Sequence, residues 1–310
     1  MGPSFFAYVV LAALVIVYGL LDPGLVSIAQ ASEVFNQSLP LIFVAAGEAA
    51  VVLGAGIDLS VGGMVALGNV LGAVIMPSHG VAVALLTTLA VTAAAGLVNG
   101  LLTVSVDLPA IIVTLATGAL FGGIALAILP QPGGGAPTSF ANIATGTVGP
   151  VPNALVMVVC LVILWGAFTR SRTGRALKAG GSHRAAAEMT GRPWRLASVL
   201  SYTISGLLSG AAGLAILGQT QTGDPTVGGV YTLLALAAVV LGGVRLSGGL
   251  GDIGGPLAGA LILSIVNNVL FFMNVSVYYQ YISEGLIVLI PMMAVNIQRL
   301  VPSAKNRGAQ

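Results

Sequence analysis

The segment RSRTGRALKAGGSHRAAAEMTGRPWR at 170–195 carries seven of the chain's eleven Lys and Arg residues: Arg170, Arg172, Arg175, Lys178, Arg184, Arg192 and Arg195. No Lys or Arg precedes it. Apolar runs flank it on both sides, and a basic stretch between two such runs stays on the cytoplasmic side of a membrane. This reading makes the segment an inward-facing loop, and the apolar runs the helices that it connects.

Composition agrees. Of 310 residues 57% are apolar and 6% are charged, with a mean hydropathy of +1.03, whereas a soluble domain carries about 25% charged residues. So few charges cannot coat a water-exposed surface. The expected fold class is therefore an all-α polytopic membrane protein, with residues 1–310 as a single transmembrane domain and the basic segment as a loop within it. The formal net charge of +2 says little, because in a membrane protein it matters where the positives lie, and no nucleic-acid partner is expected. Cys160 stands alone in an apolar run, so neither a disulfide framework nor a thiolate metal site is expected. The first apolar run lacks a basic leader and reads as a retained span rather than a cleaved signal.

A helix needs about 20 apolar residues to cross the hydrocarbon layer. By that ruler there are about ten runs, near 4–21, 37–53, 60–76, 80–104, 108–129, 151–169, 196–218, 231–243, 254–273 and 279–298. Four runs separate the basic segment from the tail that holds Arg299, Lys305 and Arg307, so both fall on one side. Arg245 does too. Ten spans with both termini cytoplasmic is self-consistent, as is an eight-span form with two re-entrant runs. The stretches 22–36, 130–150 and 219–230 then face outward. Spacings of the GxxxG type at Gly68/Gly72, Gly96/Gly100, Gly118/Gly122, Gly206/Gly210 and Gly255/Gly259 imply tight helix packing, but with 43 glycines they single out no particular contact.

The chain has no GxxxxGK[ST] phosphate loop. The glycine-rich GGVRLSGGLGDIGG at 242–255 lacks a lysine and reads as a flexible cytoplasmic turn. His79 and His183 have no partners at catalytic or metal-ligand spacing, so no enzyme activity, catalytic residue or metal site is expected. A charge at the bilayer centre costs at least about 2.5 to 3.5 kcal/mol, which singles out Glu48, Asp58 and Asp107. Glu48, deep in LIFVAAGEAAVVLGAG, should face the bundle or an aqueous path. Asp58 with Ser60, and Asp107 before Pro109, suit helix capping.

GIDLSVGGMVALG at 56–68, LPAIIVTLATGALFGGIAL at 108–126, GRALKAGGSHRAAAEMTG at 174–191 and LAAVVLGGVRLSGGLGDIGGPLAGALI at 236–262 follow one another as in the permease subunits of bacterial ribose-type sugar ABC importers. Nearly the whole chain resembles that family. The resemblance implies a fold like the vitamin B12 importer permeases and assembly as a dimer in the bacterial inner membrane, surrounded by lipid. It also implies a cytoplasmic ATPase subunit that binds ATP and Mg, no cofactor in this chain, and a periplasmic substrate-binding protein. Carried over by position, the element that docks on the ATPase is about 180–195, with Ser182, His183, Ala186, Ala187 and Gly191 as its coupling residues. His183 stands where the family more often has Asn. The residues agree: Gly181 or Ser182 starts a helix, HRAAAEMT propagates it, and Gly191 with Pro193 ends it.

Tyr231 is followed by Thr232, Leu233 and Leu234 where the family usually has a Glu-Leu-Asp sequence, so both acids are missing. Pairing with a non-identical permease that keeps them would explain the loss. The N-terminus is shorter than the family's and lacks its basic leader. Glu48, Asn69, Asn99, Thr114, Thr117, Asn267 and Asn268 are the candidates to line a polar translocation path, although each can equally bond between helices. The expected function is the membrane subunit of an importer for a sugar, most simply a monosaccharide. A branched-chain amino acid or nucleoside permease of the same superfamily is the alternative, and a self-sufficient carrier or channel is the more distant one.

Overall fold

A computed structural model describes residues 4–21 and 27–273, together with 275, 276, 279, 282, 285 and 286. The helices are α1 (Phe5–Leu21), α2 (Ile28–Leu53), α3 (Val61–Gly100), α4 (Ala110–Ile128), α5 (Thr138–Thr145), α6 (Asn153–Arg170), α7 (Arg172–Ser182), α8 (Arg184–Met189), α9 (Trp194–Thr220), α10 (Tyr231–Leu241) and α11 (Gly254–Phe272). A π-helical turn, Leu101–Ser105, extends α3. Strands β1 (Thr147–Val148) and β2 (Val151–Pro152) form a minimal antiparallel hairpin.

Among the described residues, five stretches are long and apolar enough to cross a membrane: Ala29–Leu53, Val61–Ser105, Ala110–Ile128, Asn153–Arg170 and Trp194–Thr220. Phe5–Leu20, Tyr231–Leu241 and Gly254–Leu270 are shorter apolar helices. The protein is a polytopic helical membrane protein.

At 40 residues, a straight α3 would run about 60 Å, twice the hydrocarbon thickness of about 30 Å. It is not straight. Gly80 adopts φ 81 and ψ 166, a conformation open to glycine, and the chain reverses there, so that Asn99 returns to within hydrogen-bond distance of Ser60. The limbs are the two runs expected at 60–76 and 80–104. Helix α9 packs along both. Its Gly213 lies against the Val65–Asn69 backbone of the first limb, and its Gly206 against Thr92 and Gly96 of the second.

Helix α2 is the hub. Every residue from 38 to 53 is buried, which suits a helix apolar all round. It starts at Ile28, well before the expected apolar run at 37–53, because Ser27 caps it by accepting from the Gln30 N–H. The polar IAQASEVFNQ is thus helix, not an external loop.

The region 130–150 also departs from a plain loop. Pro137 precedes α5, whose Phe140, Ala141 and Ala144 are buried, and Ala144 sits over Gly218 of α9. The glycine-rich 242–255 is likewise a packed turn rather than a flexible one. Gly243, Gly248 and Gly249 hold positive φ, and the Gly249 N–H donates to the Leu53 carbonyl at the end of α2. Of the tenth apolar run only 279, 282, 285 and 286 are among the described residues, and the basic tail falls outside them.

Candidate functional site

The basic segment, expected as one loop around a short helix at 182–191, forms two helices. Helix α7 ends at Ser182, and α8 spans only Arg184–Met189. His183, at φ −158 and ψ 96, is at once the C-cap of α7 and the N-cap of α8, so the break comes one residue later than Gly181 or Ser182 as starting points would place it. Two consecutive glycines explain the difference. Gly180 lies against Trp194, and Gly181 against the Leu53 carbonyl and the Gly249 backbone, so α7 is held by packing to its last turn and frees the chain only afterwards.

Between its exposed arginines Arg172 and Arg175 and beyond, α7 also packs against the bundle. Gly174, Ala176 and Leu177 are buried, and Leu177 reaches Gly54 at the end of α2. Ser171 caps the helix by accepting from the Gly174 N–H.

In α8, Ala187 is buried and Ala186 exposed, while Met189 is 89% exposed. Gly191, at φ 64, turns the chain out of the helix, as a C-terminal glycine does. Arg184 and Arg195 flank the Trp194 ring at 5.4 and 5.5 Å from its centroid. The Arg195–Glu188 pair at 3.6 Å is the only ion pair among the described residues, and both side chains are exposed. Arg184, Glu188, Trp194 and Arg195 thus hold α8 beside the start of α9, while Met189 projects outward.

Deeper in the bundle the acids form a polar knot. The Asp58 N–H donates to Glu48 Oε1 at 3.2 Å. Asp58 Oδ1 accepts from both the N–H and the hydroxyl of Ser60, and its Oδ2 accepts from Ser205 Oγ at 2.8 Å. Asn99 Nδ2 donates to Ser60 Oγ at 2.7 Å. All five side chains are essentially inaccessible, and together they tie α2, both limbs of α3 and α9. Glu48 Oε2 and Asn99 Oδ1 have no hydrogen-bond partner among the described residues. Nearby, Thr114 Oγ1 donates to Ala110 O at 2.8 Å and makes a long bond to Ile57 O at 3.4 Å.

Of the expected path residues, then, Glu48 and Asn99 are brought together, with Thr114 beside them. Asn69 is elsewhere, donating to Gly213 O and accepting from the Asp224 N–H, which pins the 219–230 connection. Thr117 bonds back to Val113 O on its own helix. Asn267 and Asn268 are half-buried on α11, apart from the knot.

Capping is only partly as expected. Asp58 serves the N–H of Ser60, the N-cap residue of α3, rather than the first turn itself. Asp107 does not cap α4. The N-cap there is Pro109, without a side-chain bond, and Asp107 is exposed at φ 60, because the π-helical turn carries its side chain out of line. Ser205 was missed. Its signal is the buried series Ser198, Ser201, Ser205 and Ser209 on α9, at spacings of three and four that share a helix face.

A cavity of about 250 Å³ lies beside α8, with none of the five knot side chains in its lining. Gly56 and Tyr202, next to the knot, line it together with Thr103 and Asp107 of the π-turn region and Arg184 and Trp194 at α8.

These features define the class: an integral membrane protein whose inter-helix contacts are polar and glycine-rich and whose basic surface helices cap the bundle. The chain belongs to the family described as branched-chain amino acid transport system / permease component, whose pattern matches residues 30–293. It is 32% identical to the ribose import permease protein of Haemophilus influenzae over 94% of this chain and 92% of that one. Identity to the ribose import permease protein of Bacillus subtilis is 35%, over 90% and 88%. Identity to the D-allose transport system permease protein of Escherichia coli is 32%, over 95% and 91%. No solved structure matches.

Proposed function

We propose that this chain is the transmembrane subunit of an ABC importer that carries a monosaccharide across the bacterial inner membrane. It makes ten crossings with both termini cytoplasmic, has a fold like the vitamin B12 importer permeases, and pairs with a second copy or a related permease. A periplasmic binding protein delivers the sugar. A cytoplasmic ATPase subunit, which binds ATP and Mg, drives the cycle, and no cofactor resides in this chain.

The observation that carries this reading is similarity over nine-tenths of the chain to permeases named for ribose and allose. The geometry supports a coupling role for the segment from Ser182 to Gly191: a six-residue helix, exposed on one side and joined by His183 to a packed α7. Ala187 faces inward and Ala186 and Met189 outward, so a push on α8 is passed to Trp194 and α9, and through α9 to Ser205 and the knot. The path residues Glu48, Asn99 and Thr114 lie along that line.

Deleting 184–191 from the assembled transporter should release the ATPase subunit on purification. Retention of the ATPase would refute the coupling assignment. The family's description names branched-chain amino acids, and the ligand carried by the co-purifying binding protein decides between the two substrate classes.

A further inference from the structure

A cleft of about 230 Å³ lies between the start of α7 and the turn that leaves α8, lined by Arg172, Arg175, Thr190, Gly191, Arg192 and Pro193. Three exposed arginines, Arg172, Arg175 and Arg192, line this small space, and none of them forms an ion pair with a carboxylate among the described residues. Exposed like charges that line one cleft repel only weakly through water, and together they set up a positive field that favours an anion. Their surroundings orient them. Arg175 Nη1 donates to the Arg170 carbonyl, and Gly191 at φ 64 turns Arg192 back toward α7. The Thr190 hydroxyl is already bonded to the Ala186 and Ala187 carbonyls, so recognition falls to the guanidinium forks. Such forks match the paired oxygens of a phosphate.

We propose that this cleft binds a phosphate group, and that its occupant is the headgroup of an anionic phospholipid. Position favours lipid over free phosphate. Helix α6 is an apolar span ending at Arg170, and α7 begins directly after it, so Arg172 and Arg175 sit where a span meets the headgroup layer. Basic pockets at that level bind phospholipid headgroups. The bound phosphate bridges α7 to the turn behind α8, holding the exposed helix in place from the membrane side. The site is distinct from the 250 Å³ cavity, which reaches α8 through Arg184 and Trp194.

The test uses the full chain, purified in detergent and stripped of lipid. Native mass spectrometry measures retention of phosphatidylglycerol and of phosphatidylcholine, with inorganic phosphate as competitor. The parent should hold phosphatidylglycerol at least tenfold more tightly than phosphatidylcholine. Arg172→Gln and Arg192→Gln should each weaken it by roughly fivefold, Arg192→Lys by less, and Arg245→Gln, which removes the same charge at an exposed position outside the cleft, not at all. Displacement by millimolar inorganic phosphate would mean that the phosphate alone is recognised; resistance to it would mean that the lipid diester is required. Both agree with the proposal. Equal retention of the two lipids, or equal loss in Arg245→Gln and Arg192→Gln, would overturn it. So would Arg172→Gln and Arg192→Gln variants that keep phosphatidylglycerol but lose the ATPase subunit on co-purification, since the cleft would then be a protein contact. Thermal melting in the same detergent excludes misfolded variants, and Arg175→Gln replaces any that fail.

Discussion

Asn99 Nδ2 donates to Ser60 Oγ across 2.7 Å and joins the two ends of a helical hairpin 39 residues apart. Ser60 also donates to Asp58, and Asp58 accepts from Ser205 on α9. The hairpin is therefore closed by the same side chains that attach it to its neighbour. Ser205→Ala leaves a buried carboxylate oxygen without its donor and should cost about 1 to 3 kcal/mol. Ser60→Ala should cost a similar amount. Because both act through Asp58, the double variant should depart from additivity by more than about 0.5 kcal/mol, as read from denaturant titration in detergent.

Glu48 accepts the Asp58 N–H through a single oxygen, and a glutamine retains an oxygen able to accept that bond. Glu48→Gln should therefore melt close to the parent. Glu48→Ala removes the acceptor and opens a cavity in the most buried helix, and should lose about 2 to 5 kcal/mol. Equal melting of the two variants would contradict this assignment of the bond.

The glycine pairs separate into those that pack and those that do not. A methyl group on Gly96 would overlap the Tyr202 carbonyl, and one on Gly206 the Thr92 carbonyl, whereas Gly122 and Gly123 face open space. Gly96→Ala and Gly206→Ala should abolish the monodisperse peak in size-exclusion chromatography. Gly122→Ala and Gly123→Ala should leave it intact.

The glycine-rich turn holds the basic helices. Gly249 has φ 74, donates to the Leu53 carbonyl and lies against Ser182. Gly249→Val should leave the span core folded but detach the junction at His183, and so lower ATPase co-purification severalfold. An unchanged yield of the ATPase would mean that the turn does not support α8.

Much of this was legible in the sequence. The run lengths located the long apolar helices because hydrocarbon demands about 20 apolar residues, and the turn at Gly80 falls at the start of the run expected at 80–104. The short helix before Gly191 and Pro193 was legible because breakers act locally. Its start at Arg184 was not, since it depends on Gly180 and Gly181 meeting Trp194 and Leu53, distant neighbours that no local rule supplies. Likewise Glu48 and Asp58 stood out individually by charge, but their union through Ser205, 147 positions from Asp58, is a tertiary event. Asn69 shows the converse. A polar residue in an apolar run could line a solute path or bond between elements, and only the structure shows its bonds to Gly213 and to the Asp224 N–H.

The central claim is that this chain moves a sugar only when a partner hydrolyses ATP. Its most direct test is uptake of radiolabelled monosaccharide into proteoliposomes that hold the chain with its ATPase subunit, the binding protein outside and nucleotide inside. The account predicts uptake that requires ATP and binding protein together and disappears on deletion of 184–191. Uptake by this chain alone, without nucleotide, would contradict it.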